Sequence, residues 1–285
     1  MSRGYIVIAQ NNNEFDYLEM TYALALSLKL TQQENAICVC LDEHTKSLLQ
    51  DKHRKVFDHI VDIPWNDDAG TDNWKIHNKW KYIHMSPFDE TIILDSDMVF
   101  THSVDHWWDY LAKKDVWCCT NVKTFRNEDV TSDYYRKKFT QLEVPNVYSN
   151  FTYFKKTQPA YEFFRMVELV MTHWNVYYDK YMKGLGQNWM SADLAYAIAV
   201  QHLGIEEEVC SYDIKDVPTF VHMKSHVQNI SPTKIDNTWT RSIPSELTDN
   251  LEVRIGSYMQ TLPVHYVHKE WMTEDKIKMY EDALS

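Results

Sequence analysis

Thr91-Ile92-Ile93-Leu94-Asp95-Ser96-Asp97-Met98-Val99-Phe100 is the stretch on which the reading of this chain turns. Its first half is an unbroken apolar run with two isoleucines, the pattern of a strand buried on both faces. The run halts on Asp95 and Asp97, two carboxylates separated by the small Ser96. A buried strand that ends this way sets two hard oxygen ligands at the carboxyl edge of a sheet, where open α/β sheets bind their ligands. Held so close, the carboxylates repel each other, and a divalent cation relieves the repulsion. Asp and Ser also favour turns on their own account, so an Asp-rich turn without a ligand fits the spacing equally well. The surrounding chain tips the balance toward a site.

Upstream, residues 5–9 read as a first buried strand, left through the polar loop Gln10-Asn11-Asn12-Asn13. Residues 15–30 carry Leu, Ala and Met at helical spacing, with Tyr17, Tyr22 and Leu26 on the inner face. A second strand at 36–41 places Cys38 and Cys40 on one face as small buried thiols. A polar helix at 43–50 and a short strand at 59–63 follow, and the alternation predicts parallel βαβ units. A polar loop at 66–72 then leads into an aromatic-rich helix at 74–84 that bears Lys75, Lys79 and Lys81.

Downstream, the pattern predicts a helix at 105–111 and a strand at 116–120, with Trp107 and Trp108 in the core. Residues 123–146 are polar and irregular, and Tyr134-Tyr135-Arg136-Lys137-Lys138-Phe139 mixes basic and aromatic side chains. Such a segment serves as a lid or acceptor-binding loop, or is a solvated insertion. A strand at 147–154, a long amphipathic helix at 159–180, a helix at 188–202 and strands at 208–212 and 219–223 come next. Residues 227–262 carry no clear pattern. The chain closes with a strand at 264–268 and a helix at 273–284, for which Thr273 has the N-cap chemistry. His222 stands at a strand end as a possible metal ligand, whereas His77, His84 and His102 read as structural.

With 285 residues, 44% of them hydrophobic and only 6 Gly, the chain has material for an ample core and little for linkers. A net charge of −12 weighs against a non-specific nucleic-acid coat, though not against a local basic groove. The five cysteines are odd in number and hold no Cys-x-x-Cys pair, which excludes an evident zinc knuckle or disulfide framework. No signal-peptide pattern opens the chain and no apolar stretch is long enough to span a bilayer. The expectation is a soluble cytoplasmic protein without a membrane anchor, in the host cytoplasm if viral.

The starting strand with its polar exit loop, the Lys-bearing helix before the Asp-x-Asp strand, and the near-terminal His265-Tyr266-Val267-His268-Lys269-Glu270-Trp271 occur in one order. In that order the chain resembles the GT-A-fold nucleotide-sugar glycosyltransferases, most of all the retaining, glycogenin-like family 8. The resemblance implies an α/β fold with a mixed, mostly parallel central sheet flanked by helices. It implies a single GT-A domain over 1–285, with a Rossmann-like nucleotide-sugar-binding half at 1–104. An acceptor-binding half at 105–285 would carry the C-terminal metal and diphosphate motif. The cofactor would be Mn²⁺ or Mg²⁺ and the donor a nucleotide-diphosphate sugar, a UDP-sugar.

Carried over residue by residue, the resemblance has Asp95 face the sugar, ribose and ion, and Asp97 ligate the ion. His265 would be the third ligand, with His268 or His222 as alternates. Lys269 would meet the diphosphate, with Ser96 and Trp271 in the same donor-binding set. Ala9, Gln10 and Asn11 would sit beside the base and Lys79 near the donor phosphate or sugar. Asn150 and Asp193 would point toward the sugar, Asp193 serving as base if the reaction inverts. The chain departs from the family where Phe151-Thr152 follow Asn150 in place of x-Gly, and where Ser191-Ala192-Asp193 stands for Asp-Gln-Asp. Its terminal motif also lacks the family's Gly and Pro.

Breaking a sugar–diphosphate bond requires stabilising the charge on the departing diphosphate, which an octahedral cation does as a Lewis acid. A nitrogen ligand added to carboxylates suits Mn²⁺ better than Ca²⁺. The rivals are a nucleotidyltransferase, against which the Gly-free and Lys-free loop 10–13 argues, and a non-catalytic nucleotide- or sugar-binding module. For the acceptor, a glycan, a protein, a small molecule and hydroxymethylated cytosine in phage DNA all remain open, the last from phosphate contacts and base stacking by residues 134–139.

Overall fold

The computed structural model describes residues 1–70, 75–130, 136–183, 189–210, 217–224 and 238–285. Strands β1 (Arg3–Ala9), β2 (Ile37–Leu41), β3 (His59–Asp62) and β4 (Glu90–Leu94) pair in parallel. Past a turn, β5 (Met98–Val99) leaves this sheet, and β6 (Val116–Cys119) and β7 (Tyr148–Lys155) complete it. The order is β3-β2-β1-β4-β7-β6, with β7 antiparallel to both neighbours. This is the mixed, mostly parallel sheet expected from the sequence.

The apolar runs are continuous because both faces of the sheet are covered. Tyr5, Val7, Ala9, Val39, Ile92 and Leu94 point into one core, while Ile6, Cys38, Cys40, Ile93 and Phe154 point into the other. The alternation is the period-two rule of a strand applied twice over. Helix α1 (Tyr17–Thr31) packs on the first face, and every residue from Met20 to Leu28 is buried. Its start is set by Asp16, whose carboxylate accepts from the Glu19 N–H at 3.0 Å. Gly4 in β1 lies so close under Phe88 that a Cβ would fall 2.4 Å from its ring.

Between β2 and β3 the structure has two short helices, α2 (Glu43–Ser47) and α3 (Asp51–Val56), where the sequence predicts one. The break comes at Gln50, whose N–H donates to His53 Nδ1 at 3.0 Å and opens a new helix. The helix expected over 74–84 is a 3₁₀ turn (Lys79–Lys81) running into the single-turn α4 (Tyr82–Met85), with Trp74 outside the described residues. Lys75 has φ +49°, which an α-helix cannot hold, and the buried Lys81 ammonium bonds Asn66 O and Asn78 Oδ1. Tertiary hydrogen bonding thus overrides an apolar-aromatic periodicity.

Helices α5 (Trp107–Leu111) and α6 (Lys137–Gln141) are short, and Trp107 and Trp108 are buried as expected. The long helix predicted from 159 ends at Thr172 as α7 (Gln158–Thr172), and after His173 the chain continues as α8 (Trp174–Tyr177) and a π-turn. α9 (Ala192–Leu203) is capped by Ser191 and stopped by Gly204 at φ +65°. Where a strand was expected from 208, Glu206–Val209 form α10 instead. Glu206, Glu207 and Glu208 there favour the positive end of a helix dipole.

β8 (Val221–His222) is followed in the otherwise unpatterned stretch by a small antiparallel sheet of β9 (Ser245–Leu247), β10 (Val253–Ile255) and β11 (Tyr258–Met259). β12 (Val264–His265) lies antiparallel to β5 and parallel to β8. α11 (Glu274–Leu284) closes the chain against α1 with Thr273 as N-cap, and Tyr22 donates to Glu281 at 2.9 Å. Among the described residues no helix is long and apolar enough to cross a membrane.

Candidate functional site

The site is built where β4 stops. Asp95 follows Leu94, the chain turns through Ser96 and Asp97, and β5 starts at once. β12 then runs antiparallel to β5, with His265 opposite Met98, and the Tyr266 N–H donates to the Asp97 carbonyl at 3.1 Å. That short ladder brings a histidine from near the chain end to the Asp-x-Asp turn. One ligand atom each from Asp95, Asp97 and His265 lie within 4.8 Å of one another, the one such group of His, Cys, Asp or Glu among the described residues.

Each carboxylate also holds a lysine. Lys79 Nζ is 2.5 Å from Asp95 Oδ1, and Lys269 Nζ is 2.5 Å from Asp97 Oδ2. His265 Nε2 approaches the same Asp97 oxygen at 3.0 Å. Asp97 is only 3% exposed. Burial by itself would raise its carboxyl, but His265 and Lys269 outweigh that and hold it well below the usual carboxylate range. Asp97 is therefore an anion wherever the protein is folded near neutrality. Two carboxylate oxygens and one imidazole nitrogen, convergent and incomplete as a coordination sphere, suit a divalent cation that keeps further positions open.

The remaining predicted residues fall around this centre in different ways. Asn150 on β7 is 4% exposed, and its carboxamide meets His265 Nδ1 at 2.6 Å. Ser96 is buried inside the turn. Ala9 ends β1, and the Gln10 amide donates to Asp42 at 3.1 Å and to Asp67 at 3.2 Å while its oxygen accepts from Asn78 at 2.9 Å. Burial works against the Asp67 anion, yet the bonds from Asn78, Gln10 and two backbone N–H groups win and lower its pKa. Asn11 is held by Thr45 at 2.8 Å and by Asp16 at 2.9 Å. The exit loop of β1 is thereby a fixed polar wall.

Asp193 lies at the start of α9, where Arg136 Nη1 pairs with it at 2.7 Å and the Ser149 N–H and hydroxyl donate at 2.8 and 2.6 Å. Burial pushes its carboxyl up, but Arg136 and Ser149 more than reverse this and bring it down to about 2. Trp271 is buried, donates its indole N–H to Ser245 at 3.0 Å, and packs on Tyr266. His268 bonds Thr240 at 2.7 Å and faces Glu270. His222 packs edge-on against the His265 ring with centroids 5.1 Å apart, and burial, with His265 nearby, keeps it well below the ordinary histidine range. Of the three histidines weighed as ligands, His265 is the one that joins the two aspartates.

Two contributors escape a reading of the sequence. Tyr17, placed by periodicity on the inner face of a helix, has its ring 5.3 Å from Lys269 Nζ. Burial and the nearby Asp97 and Asp95 raise its phenol, so it stays protonated beside the site. Arg136, grouped by composition with an exposed basic cluster, is instead buried with its guanidinium 3.8 Å from the Tyr148 ring centre and 4.1 Å from that of Phe139. Tyr134 and Tyr135 lie outside the described residues.

No protein-family model matches the sequence, and no curated protein matches it. Solved structures do resemble it. The galactosyltransferase LgtC in complex with donor and acceptor sugar analogs superposes with a TM-score of 0.55 at 14% identity, covering 98% of this chain and 95% of that one. An active-site mutant of LgtC gives 0.54 over the same shares and identity. Mouse xyloside xylosyltransferase 1, in its apo form, gives 0.47 at 8% identity over 75% of this chain and 85% of that one. Sheet order, flanking helices and near-complete coverage together make this the fold of LgtC, the GT-A arrangement.

Proposed function

We propose that the chain transfers a sugar from a nucleotide-diphosphate donor, a UDP-sugar, to a hydroxyl acceptor, with Mn²⁺ or Mg²⁺ held by Asp95, Asp97 and His265. The observation that carries this reading is the convergence of those three groups at the carboxyl edge of the sheet, with a lysine on each carboxylate. A bound ion of this class acts as a Lewis acid toward the departing diphosphate. Lys269 and Lys79, now paired with those carboxylates, would supply point charges to the phosphate oxygens. The phenol of Tyr17 lines the same side. The base would lie against the fixed wall formed by Gln10, Asn11, Asp42 and Asp67.

Retention is the outcome this site supports. Inversion needs a carboxylate base with a pKa near the working pH, and Asp193, held at about 2 by Arg136 and Ser149, is a poor proton acceptor. Its part is to hold Ser149, and through it the neighbouring Asn150, in register on β7. The exit loop of β1 has its polar groups engaged internally, which supports a nucleotide-sugar site over a triphosphate cradle. For the acceptor, Arg136 and Phe139 face inward, which favours a glycan or protein hydroxyl over hydroxymethylated cytosine in phage DNA.

The test is release of nucleoside diphosphate from a panel of nucleotide sugars, with Mn²⁺ and with EDTA. One donor is expected to be hydrolysed slowly without acceptor, to raise the melting temperature, and to lose both effects with EDTA. A panel in which no donor shifts the melting temperature in the presence of Mn²⁺ would overturn the proposal.

A further inference from the structure

We infer that Asn150 is a positioning residue that sets which nitrogen of His265 carries the proton, and so makes that histidine competent to take a cation. The inference deepens the proposed function and rests on its metal centre. His265 has one ring nitrogen toward Asp97, Nε2 at 3.0 Å, and the other toward Asn150, Nδ1 at 2.6 Å. Both side chains are nearly sealed from solvent, Asn150 at 4% and His265 at 8% exposure. His222 packs against the imidazole edge-on at 5.1 Å and Phe220 at 6.2 Å, so the ring is held in place.

The two ring nitrogens answer to each other. In the tautomer whose Nε2–H donates to the Asp97 carboxylate, Nδ1 carries a lone pair and accepts from the Asn150 NH₂. An ion on Nε2 would need a lone pair on Nε2 itself, so the proton must sit on Nδ1 and must have an acceptor there. A carboxamide is a neutral group that offers a donor and an acceptor at the two ends of one plane, interchanged by a half-turn. A half-turn about the last bond of Asn150 replaces NH₂ by the carbonyl oxygen and serves the second tautomer in the same space. No charge is gained or lost in the exchange. Ser149, bonded through N–H and hydroxyl to Asp193, keeps the β7 backbone fixed while the amide turns.

The test compares Asn150→Leu and Asn150→Asp with the unaltered protein, measuring Mn²⁺ binding by electron paramagnetic resonance with UDP present. Loss of an outer-shell partner of a ligating histidine lowers metal affinity by about 10–100-fold. Asn150→Leu is expected to show that loss, and Asn150→Asp, which keeps an acceptor toward Nδ1, is expected to stay within about threefold of the unaltered protein. Equal affinity in Asn150→Leu, or an equal loss in both variants, would overturn the inference. Nitrogen-15 shifts of His265 in the unaltered protein give a second reading that needs no variant. With Mg²⁺ and UDP bound, Nδ1 should carry the proton, and a proton found on Nε2 instead refutes the assignment. Failure of the unaltered protein to bind Mn²⁺ at all would count against the metal centre itself, a separate result.

Discussion

Arg136→Met should unfold the protein far more readily than an arginine from a basic surface cluster would suggest. The side chain is 2% exposed and its guanidinium is committed on every edge: Nη1 to Asp193 at 2.7 Å, Nε to Asn146 at 2.5 Å and Nη2 to the Val147 carbonyl. Asp193 is drawn from 3.8 to about 2. At about 1.4 kcal/mol per pKa unit, a drop of nearly two units corresponds to about 2 kcal/mol of favourable interaction with the carboxylate. Stripping one partner from a buried pair costs more, about 3–5 kcal/mol, because the other charge is left uncompensated. Urea unfolding at pH 7, followed by tryptophan fluorescence, should therefore show a loss of about 3–5 kcal/mol. The pH dependence gives the sign. A carboxyl whose folded pKa is depressed contributes stability that is complete above its unfolded value near 4 and fades as the pH falls toward 2. The gap between the unaltered protein and the variant should narrow over that window. Pairing Arg136→Met with Asp193→Leu should cost less than the two single losses summed. A loss below about 1 kcal/mol at pH 7, the range of a surface ion pair, or an additive double variant, would refute the clamp.

Asp97→Ala should abolish metal-dependent donor hydrolysis, by about 10²-fold or more, while circular dichroism stays near that of the unaltered protein; full activity would remove Asp97 from the site. Lys269→Met should lower donor turnover through loss of a charge beside the diphosphate, and an unchanged kcat/KM would place that lysine elsewhere. Gly4→Ala sets a methyl against the Phe88 ring, where a Cβ has 2.4 Å of room, and should cost about 1–3 kcal/mol in urea unfolding. Gly4→Ala combined with Phe88→Leu should recover part of it.

The sheet was legible because parallel strands buried on both faces leave continuous apolar runs, and 5–9, 36–41 and 91–94 are such runs. The Asp-x-Asp turn was legible for a related reason, since charge at the end of such a run has nowhere to go but an edge. Helices were legible where apolar spacing and capping agree, as at α1 with Asp16 and α11 with Thr273. They were misread where side chains compete for backbone groups. Lys81 and Asn78 bond the backbone of Asn66 and Asp68 where a helix was expected at 74–84, and the His53 ring takes the Gln50 N–H and divides the one at 43–50. Arg136 shows a different limit. Its neighbours in sequence are Lys137, Lys138 and two tyrosines, and composition cannot tell an arginine that points out from one that points at Asp193, 57 residues on. Asn150 shows the same limit from the other side: its partner, His265, is 115 residues away. Contacts of that kind are decided by register between strands, here β12 against β5, and a strand of two residues leaves almost no periodic signal.

The charges at the site lead to one more expectation. Two carboxylates face two lysines, so the cluster is balanced before any ligand arrives. A divalent ion entering alone must compete with Lys79 and Lys269 for the same oxygens, and leaves the cluster with an excess of positive charge. A nucleoside diphosphate entering alone draws the lysines away and leaves Asp95 and Asp97 facing its phosphates with nothing between them. Entering together, the ion takes the carboxylates and the diphosphate takes the lysines, and every charge keeps a partner. Binding of Mn²⁺ and of UDP should thus be cooperative, each tightening the other by the same factor, about 5–150-fold if the coupling is of ordinary size. Calorimetric titration of each in the absence and presence of the other, corrected for the complex the two form in solution, measures that factor. Lys269→Met should separate the two effects, because Asp97 then meets the ion without a competitor. Mn²⁺ alone should bind this variant more tightly than the unaltered protein, while the gain conferred by UDP shrinks. If Mn²⁺ alone binds the variant less tightly, Lys269 is not the ion's rival for Asp97, and the exchange of partners at the heart of this site does not occur.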